Sequence, residues 1–357
     1  MIELNKLRSE KNKIASALKK RGLKEIDNEL SKVIELDDQR KNLKSELDKI
    51  LEESNIIAKE IGIKIKNGDK DSVDDLKKRS GELKEKSKSV SEELKSIEIK
   101  LRNMLCNIPN IPDEIVPEGN SDEDNTIVSS KELKISNEIK HKPHWELIKD
   151  FNLIDFDTGN KITGAGFPVY VNEGAKLQRA LINYFLDVAN ANGYSEIQPP
   201  ILINEESGFG TGQLPDKEGQ MYKIEDENLY LIPTAEVPIT NIYRKKIIDK
   251  DTLPIKNVAY TPCFRKEAGS WGSHVRGLNR LHQFDKVEIV QIENEDNSEK
   301  ALQEMCNYVE SLIKSLDISY RKLLLCAGDL GFASSITYDF EVYAPGQDRW
   351  LESSSVS

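Results

Sequence analysis

Two long stretches near the start of the chain place an apolar residue at every seventh position. Between about Asp27 and Ile61 these positions are Leu36, Leu43, Ile50 and Ile57, and across residues 73–104 they are Leu76, Leu83, Val90, Ile97 and Met104. Four to five matched heptads predict coiled-coil helices. The turn-rich residues 62–69 separate the two stretches, so we expect the helices to fold back as an antiparallel hairpin. At 1.5 Å per residue, each helix would be roughly 50 Å long.

The segments on either side of this hairpin have different patterns. Residues 1–25 predict a short basic helix that stops at Gly22. Residues 109–142 combine closely spaced prolines with an acidic polar run and predict a linker. The predicted organisation is a helical arm over residues 1–108, a linker over 109–142 and a globular domain over 143–357.

The globular part alternates helical and extended patterns. Gly174 to Asn192 predicts an amphipathic helix, and its apolar face holds Leu177, Ala180, Leu181, Tyr184, Phe185 and Val188. A short strand over residues 194–198 ends at two prolines. A second amphipathic helix is predicted over 298–316, with strands over 320–325 and 337–343. These elements predict an α+β fold in which an antiparallel sheet flanked by helices follows the coiled-coil arm.

The composition supports a long, solvated arm. Only 38% of the 357 residues are hydrophobic and 32% are charged, which is unusual for a single compact globule. There is no apolar stretch long enough for a membrane span and no apolar core of a secretion signal. The cysteines Cys106, Cys263, Cys306 and Cys326 lack metal-binding spacing, so they predict free thiols in a reducing, cytoplasmic compartment.

Charge is unevenly distributed along the chain. The net charge of −11 argues against a protein that coats nucleic acid generally. Residues 1–104 nevertheless hold 26 Lys and Arg against 22 Asp and Glu, a net of +4 that leaves −15 on the remainder. A mildly basic arm on an acidic body fits an arm that touches phosphates.

The candidate chemistry is concentrated between residues 260 and 288, which predict a strand, a loop and a second strand. Because side chains alternate along a strand, Arg265 and Glu267 are expected on one face of the first. On the second strand the shared face holds Phe284, Lys286 and Glu288. Arg276 lies in the connecting loop. Arginine binds phosphate through its planar fork and an aromatic ring stacks on a base, so this wall suits a nucleotide and an amine. The alternative is an antiparallel hairpin whose charges are simply solvated.

The complete pattern resembles motif 2 of the class II aminoacyl-tRNA synthetases. Phe264-Arg265-x-Glu267 is followed by Arg276-Gly277-Leu278 and then by His282-Gln283-Phe284-x-Lys286-x-Glu288. The Arg-Gly-Leu and Phe-Asp-Lys-Val-Glu segments resemble the seryl-tRNA synthetases in particular. The helix, strand and prolines of residues 174–200 resemble motif 1, which implies a homodimer.

The resemblance implies an enzyme that makes seryl-adenylate from L-serine and ATP and passes the seryl group to tRNA(Ser). It leaves open whether tRNA(Sec) is also charged. It implies that Arg265 holds the α-phosphate, that Glu267 contacts the adenine side and that Arg276 meets the terminal phosphates. These three are the predicted catalytic residues. Lys266 belongs to the same ATP-binding stretch, and Phe284 is expected to stack on adenine.

Two further segments resemble parts of the family's substrate site. Thr234, Ala235 and Glu236 follow a strand that ends at a proline, and the resemblance places them with Glu288 around serine. From the residues alone, Thr234 is equally consistent with a cap for the following helix. Near the end of the chain, a Glu-x-Ser-Ser segment is implied to bind ATP, with Glu352 and Ser355 holding Mg²⁺. Its residues are Glu352, Ser353, Ser354 and Ser355. The alternative for this segment is a serine-rich tail.

In the same family an N-terminal arm of this kind reaches along the tRNA. Exposed lysines on the arm would neutralise backbone phosphates without reading bases. They are Lys64, Lys66, Lys70, Lys77, Lys78, Lys84, Lys86 and Lys88. From the pattern alone, a dimerisation or spacer coil fits equally well.

The sequence ends at Ser357, before the segment where the family carries motif 3, so weakened or absent activation is expected. Two other functions are considered. One is a synthetase-like ligase that charges a carrier protein, which the long arm disfavours. The other is a coiled-coil protein that binds nucleotide without turnover. His141 and His144 are three residues apart and could bind a metal, but no third ligand is nearby.

Overall fold

The computed structural model describes residues 2–68, 73–134, 140–217, 219–267 and 276–357. The chain divides into two compact units, one comprising residues 1–120 with 327–335, the other residues 121–326 with 336–357. Among the described residues, no helix is both long enough and apolar enough to cross a bilayer. The four cysteines are free thiols, as the sequence predicts.

Three helices dominate the first unit. They are α1 (Leu4–Lys19), α2 (Ile26–Lys66) and α3 (Val73–Leu105). The heptad positions of α2 and α3 meet in one apolar seam that contains Ile50, Ile57, Leu83 and Val90. Ion pairs cross the seam from Glu46 to Lys86 at 2.8 Å and from Glu53 to Arg79 at 2.8 Å. Residue numbers along the seam rise on α2 while they fall on α3, so the predicted antiparallel hairpin is confirmed.

The turn between the two helices begins later than the sequence predicts. Helix α2 continues through Gly62 as far as Lys66, and Gly68 then adopts a positive φ of 78°. A single glycine inside a helix costs only about 1 kcal/mol, so Gly62 does not interrupt the flanking helix-forming residues. The remainder of the predicted turn, Asp69, and the candidate lysine Lys70 lie outside the described residues.

Residues 327–335, far away in sequence, complete the first unit. The Arg21 guanidinium donates to the carbonyl oxygens of Leu330, Gly331 and Ser334 at 3.2, 3.2 and 2.6 Å. Burial lowers the pKa of Arg21 to about 10. The contact between Arg21 and residues 327–335 could not be predicted from the sequence. Its acceptors are backbone carbonyl oxygens, which every residue type has.

In its described residues, the second unit contains two long helices, several short ones and four small sheets. Its helices are α4 (His144–Asp150), α5 (Phe156–Ile162), α6 (Asn172–Ala191), α7 (Glu205–Gly210), α8 (Glu236–Asn241) and α9 (Ser298–Ser315). Its strands are β1 (Thr126–Lys131), β2 (Ile154–Asp155), β3 (Val169–Tyr170), β4 (Ser195–Glu196), β5 (Leu202–Asn204), β6 (Lys223–Ile224), β7 (Leu229–Leu231), β8 (Ile255–Phe264), β9 (Gln283–Ile292), β10 (Tyr320–Leu324), β11 (Tyr338–Ala344) and β12 (Arg349–Val356).

Two of these sheets carry the candidate site. One has the order β1-β10-β11-β12 and the other β4-β8-β9, and every pair in them is antiparallel except β4 with β8. Strand β1 lies inside the range that the sequence analysis assigned to a linker. Five of its six residues are exposed, so it has no alternating pattern to reveal it. The serine-rich segment near the end of the chain is strand β12 and not a tail.

The core of this unit lies between helices α6 and α9 and the inner faces of both sheets. Phe340 and Cys306 are fully buried there, together with Val258 of β8 and Ala189 of α6. The predicted apolar face of α6 is only partly buried in this core. Leu177 stays 56% exposed and Tyr184 37% exposed; they are seven residues, about two helical turns, apart on one outward stripe.

A buried carboxylate joins α1 to α2 in the first unit. The Asp37 side chain is 0% exposed and pairs with Arg8, Arg40 and Lys41 at 2.7, 2.7 and 3.2 Å. Desolvation by itself would raise the pKa of Asp37, but the hydrogen bonds from these cations outweigh it and lower the pKa to about 2.

We expect Asp37→Asn to lower the unfolding free energy of the protein by about 2 kcal/mol, because it leaves three cations around an uncharged group. Urea unfolding followed by circular dichroism measures this. Asp38→Asn is the matched control: Asp38 also pairs with Arg8 but is 55% exposed, so its loss should be much smaller. Equal losses in the two variants would contradict the assignment.

The difference between wild type and Asp37→Asn also depends on pH. The native pKa of Asp37 lies below the ordinary aspartate pKa of 3.8, so its stabilisation is present above pH 3.8 and is lost as pH falls towards about 2. The two unfolding curves should therefore converge near pH 2. A gap that stays constant down to that pH would show that charge pairing is not its cause.

Candidate active site

Strands β8 and β9 form the predicted hairpin, and their register fixes which side chains share a face. Cys263 lies opposite Phe284, Thr261 opposite Lys286, and Ala259 opposite Glu288. Val287 and Ile289, which alternate with these residues on β9, pack into the core. Phe284, Lys286 and Glu288 therefore share the opposite face, as the sequence predicts.

Arg265 lies one residue beyond the end of β8. Its backbone N–H donates to the carbonyl oxygen of His282 at 3.0 Å, which continues the pairing of the hairpin. The Arg265 guanidinium carbon lies 5.2 Å from the centre of the Phe284 ring. The guanidinium and the ring thus stack at the end of the hairpin, a cation–π contact that orients both groups.

Glu267 is not in a strand, which corrects the prediction that it extends the face of Arg265. It adopts a positive φ of 49°, and the regular alternation of side chains ends before it. Its carboxylate pairs with Arg280 Nη1 at 2.7 Å. The sequence pattern does not predict the pairing with Arg280, since it depends on how the chain returns to β9. Next to Glu267, the Lys266 N–H donates to Gln220 O at 2.8 Å.

Arg276 is held by an aromatic ring outside the hairpin. Its guanidinium carbon lies 4.8 Å from the centre of the Trp145 ring, on helix α4. The structure therefore places both predicted phosphate-binding arginines against aromatic faces, Arg265 on Phe284 and Arg276 on Trp145. Most of the loop between them, residues 268–275, lies outside the described residues.

A second cluster on the same face of β9 involves the predicted serine-binding residues. The Thr234 hydroxyl donates to Glu288 Oε2 at 2.6 Å, and Lys286 Nζ lies 2.7 Å from the same oxygen. Thr234 Oγ1 also accepts the N–H of Glu236, the first residue of α8, at 3.2 Å, although the N-cap of the helix is Ala235 and not Thr234. Thr234 is 4% exposed and Ala235 is fully buried. Thr234 is therefore buried between the start of α8 and the cluster, and its part in binding serine stays a prediction.

Glu236 lines this cluster as a second carboxylate. Its side chain is exposed to solvent, yet it is surrounded by enough protein that desolvation raises its pKa. The nearby Glu288 raises the pKa of Glu236 further, while Lys286 and Arg265 oppose the change. A solvent-accessible, anionic group with a perturbed pKa is typical of a functional cleft.

A bulge in β12 brings together the two residues predicted to hold Mg²⁺. Glu352 lies opposite Glu341 and Ser355 opposite Asp339, with a register shift between these pairs. Glu341 and Asp339 are two residues apart on β11, so Glu352 and Ser355 share one face although they are three residues apart. Ser353 is the extra residue, and its hydroxyl donates to Phe340 O at 3.0 Å. Ser354 lies opposite Phe340, on the core side of the strand.

These residues fit a magnesium ion that also binds phosphates. Mg²⁺ favours hard oxygen ligands and is commonly held by one or two carboxylates together with substrate phosphates. Glu352 and Ser355 are exposed, and the facing Glu341 is already paired with Arg321. Within the described ranges, no group of three or more His, Cys, Asp or Glu could hold a metal by itself.

Comparison with known proteins identifies the family of this chain. Residues 1–112 match the family model described as the seryl-tRNA synthetase N-terminal domain, and residues 222–357 match that of the tRNA synthetase class II core domain (G, H, P, S and T). The serine–tRNA ligase of Salinibacter ruber is 42% identical over 100% of this chain and 83% of its own length. That of Nautilia profundicola is 45% identical over 100% of this chain and 85% of its own length.

The chain belongs to the seryl-tRNA synthetase family. A solved seryl-tRNA synthetase of Pyrococcus horikoshii, complexed with ATP, matches with a TM-score of 0.88 and 31% identity over 99% of this chain and 83% of that one. The cytoplasmic serine–tRNA ligase of Naegleria fowleri, in complex with AMP, gives a TM-score of 0.82 and 27% identity over 99% and 84%.

These matches confirm the family, the α+β fold with its helical arm, and the enzyme class, a class II serine–tRNA ligase. As in other seryl-tRNA synthetases, the antiparallel sheet follows the arm. The roles of the individual site residues stay predictions, and the geometry above is their basis.

We expect Glu288→Gln to lower the pKa of Glu236, because it removes the like charge that raises it. Carboxyl-carbon NMR of the protein labelled at glutamate measures this titration. Asp285→Asn is the matched control on β9: Asp285 accepts a hydrogen bond from Tyr260 at 2.6 Å on the opposite face, so the pKa of Glu236 should not move. An unchanged titration in Glu288→Gln would mean that the two carboxylates do not share a pocket.

Proposed function

We propose that this chain activates L-serine with ATP to seryl-adenylate and transfers the seryl group to tRNA(Ser) in the cytoplasm. The observation that carries the proposal is the single face of β9. The Arg265–Phe284 stack lies at the outer end of this face. Glu288, four residues after Phe284 on β9, forms a carboxylate pocket with Glu236. A nucleotide and an amino acid would meet on this face.

In the activation step the serine carboxylate attacks the α-phosphorus of ATP and pyrophosphate leaves. No side-chain nucleophile is needed, so the protein contributes placement and neutralisation of charge. Arg265 would hold the α-phosphate while its stack with Phe284 fixes the guanidinium. Arg276, supported by Trp145, would meet the terminal phosphates.

The pocket around Thr234 would bind the serine ammonium. Glu236 and Glu288 supply negative charge, and the positive charge of Lys286 reduces the repulsion between the two carboxylates. Because the pKa of Glu236 is raised, acid protonates it earlier than an ordinary glutamate, and serine binding should weaken over the same pH range. Mg²⁺, supplied with ATP, would be held by Glu352 and Ser355 and would neutralise phosphate charge.

The helical arm supports the tRNA part of the proposal. The candidate lysines Lys66, Lys77, Lys78, Lys84, Lys86 and Lys88 are exposed, and Lys64 is partly so. Exposed cations along a long helix would contact successive phosphates of an extended RNA, which fixes its position without reading bases. The same arm disfavours a carrier protein as the acceptor.

The exposed stripe of α6 supports a homodimer. Leu177, Ala180 and Tyr184 are one turn apart and exposed on one side of the helix. An uncovered apolar stripe is typical of an interaction surface. A second copy of the chain, packing the same stripe, would form an isologous interface.

Arg265→Ala should weaken ATP binding at least about tenfold, since it removes a charged hydrogen-bond donor from the α-phosphate. Isothermal titration calorimetry measures the affinity, and serine-dependent ATP–pyrophosphate exchange measures the activation step. Lys223→Ala, which removes an exposed cation from β6, is the control and should change neither. Unchanged ATP affinity in Arg265→Ala would refute our assignment of this wall.

Leu177→Asp should shift the protein from dimer to monomer in light scattering, because it buries a charge in the proposed interface. Asn42→Asp introduces the same charge at an exposed position of α2, outside this stripe, and should leave the dimer intact. A monomeric wild-type protein would contradict the homodimer directly.

A further inference from the structure

Three segments that are distant in sequence converge beside the candidate phosphate end of the site. They are the start of α4 at His144 and Trp145, the corner formed by residues 276–279, and the turn between β11 and β12 at residues 346–347. All of them belong to the same compact unit. The corner includes Arg276, to which we assign the terminal phosphates of ATP.

His144 binds the other two segments through its two ring nitrogens. Its Nε2 accepts a hydrogen bond from the backbone N–H of Leu278 at 2.7 Å. Its Nδ1 lies 3.0 Å from the side-chain amide of Gln347. That amide in turn bonds Asn279, which donates to Gln347 Oε1 at 2.9 Å. The histidine therefore joins the corner to the β11–β12 turn directly and through the Gln347–Asn279 pair.

Two glycines make this close approach possible. A Cβ at Gly277, which has a φ of 70°, would lie 2.2 Å from His144 Nε2. A Cβ at Gly346 would lie 2.1 Å from the carbonyl oxygen of Lys142. Any larger residue at either position would separate the segments, so the contacts depend on backbone approach as well as on the histidine.

The contacts require an uncharged imidazole. Because Nε2 accepts from Leu278, the neutral ring carries its proton on Nδ1, so the Gln347 carboxamide must turn its oxygen towards the ring to accept it. The Gln347–Asn279 hydrogen bond is then kept with its roles reversed, the Gln347 nitrogen donating to the Asn279 oxygen. Burial lowers the pKa of His144, which keeps the ring neutral at ordinary pH. A doubly protonated ring would face the Leu278 N–H with a second donor, and that hydrogen bond would be lost.

The neighbouring residue completes the support of Arg276. Trp145 presents its ring 4.8 Å from the Arg276 guanidinium carbon, and the His144 and Trp145 rings are themselves in edge contact at 5.0 Å. The side chain of Arg276 thus rests on one residue of α4 while its backbone corner is bound by the residue before it. The histidine considered above as a metal ligand has both ring nitrogens engaged in this way.

We propose that His144 is a positioning residue for the activation step: through Leu278 it holds the corner that aims Arg276 at the terminal phosphates of ATP. The proposal rests on the function proposed above for the nucleotide. Helix α4 would thereby contribute to the selectivity for ATP over AMP, since AMP lacks the phosphates that Arg276 would contact.

The first test measures the corner without any ligand. In His144→Ala the Leu278 N–H loses its acceptor, so a peptide covering residues 276–281 should exchange its amide hydrogens faster in hydrogen–deuterium exchange. His144→Gln should restore slow exchange, because a glutamine oxygen can reach the place of Nε2. Lys149→Ala, an exposed residue of the same helix, is the control and should exchange like wild type.

The second test measures nucleotide selection by calorimetry with ATP and with AMP. His144→Ala should lower ATP affinity by ~10-fold and AMP affinity much less, and His144→Gln should recover most of the loss. Gly277→Ala keeps the histidine but pushes the corner away from it, so it should show the same selective loss of ATP affinity. This second variant keeps the test available if His144→Ala does not fold. Equal losses for ATP and AMP would reduce His144 to a general structural role and overturn the proposal.

The two tests separate this inference from the proposed function. Unchanged exchange of residues 276–281 in His144→Ala overturns the inference whatever the nucleotide does. A wild-type protein that binds neither ATP nor AMP overturns the proposed function and, with it, the role of Arg276 on which the inference rests. Faster exchange together with a selective loss of ATP supports both.

Discussion

The candidate site depends first on the register between β8 and β9. With Cys263 opposite Phe284, every second residue of β9 faces the open side while the residues between them fill the core. A slip of one residue would exchange these two sets and bury Lys286 and Glu288. The hydrophobic core that Val287 and Ile289 complete is therefore what keeps the charged residues on the open face. The stability of the sheet and the chemistry of its outer face are fixed by the same pairing.

How much the sequence could predict follows from how local each feature is. The arm repeats its pattern over many heptads, so its helices and their pairing were predictable, and the alternation along β9 likewise identified its face. The partners of Glu267 and His144 could not be predicted from the sequence. Arg280 and Leu278 reach them through irregular turns, which have no periodic sequence pattern. The position of residues 327–335 was invisible for a related reason: Arg21 holds them by backbone carbonyls, which every residue has.

Charge and burial are combined differently in the two units. In the arm, Asp37 is enclosed by three cations that lower its pKa, and its function is to hold helices together. At the candidate site, Glu236 has its pKa raised by desolvation and by a second carboxylate, so its negative charge is not fully compensated within the protein. A carboxylate that is satisfied within the protein stabilises the fold, whereas one left short of positive charge is prepared for a ligand.

The bulge in β12 has a consequence for how this strand can change during evolution. Glu352 and Ser355 share a face only because one residue between them is taken out of the regular pairing. The side chain of Ser353 can be exchanged with little effect on that geometry, because this residue has no pairing partner on β11. Removing Ser353 would restore regular pairing and leave Glu352 and Ser355 two residues apart, still on one face. Removing Ser354 as well would make them neighbours in sequence and turn one of them towards the core. The strand can therefore keep both side chains outward with one residue between them in regular pairing or two across a bulge, but not with none.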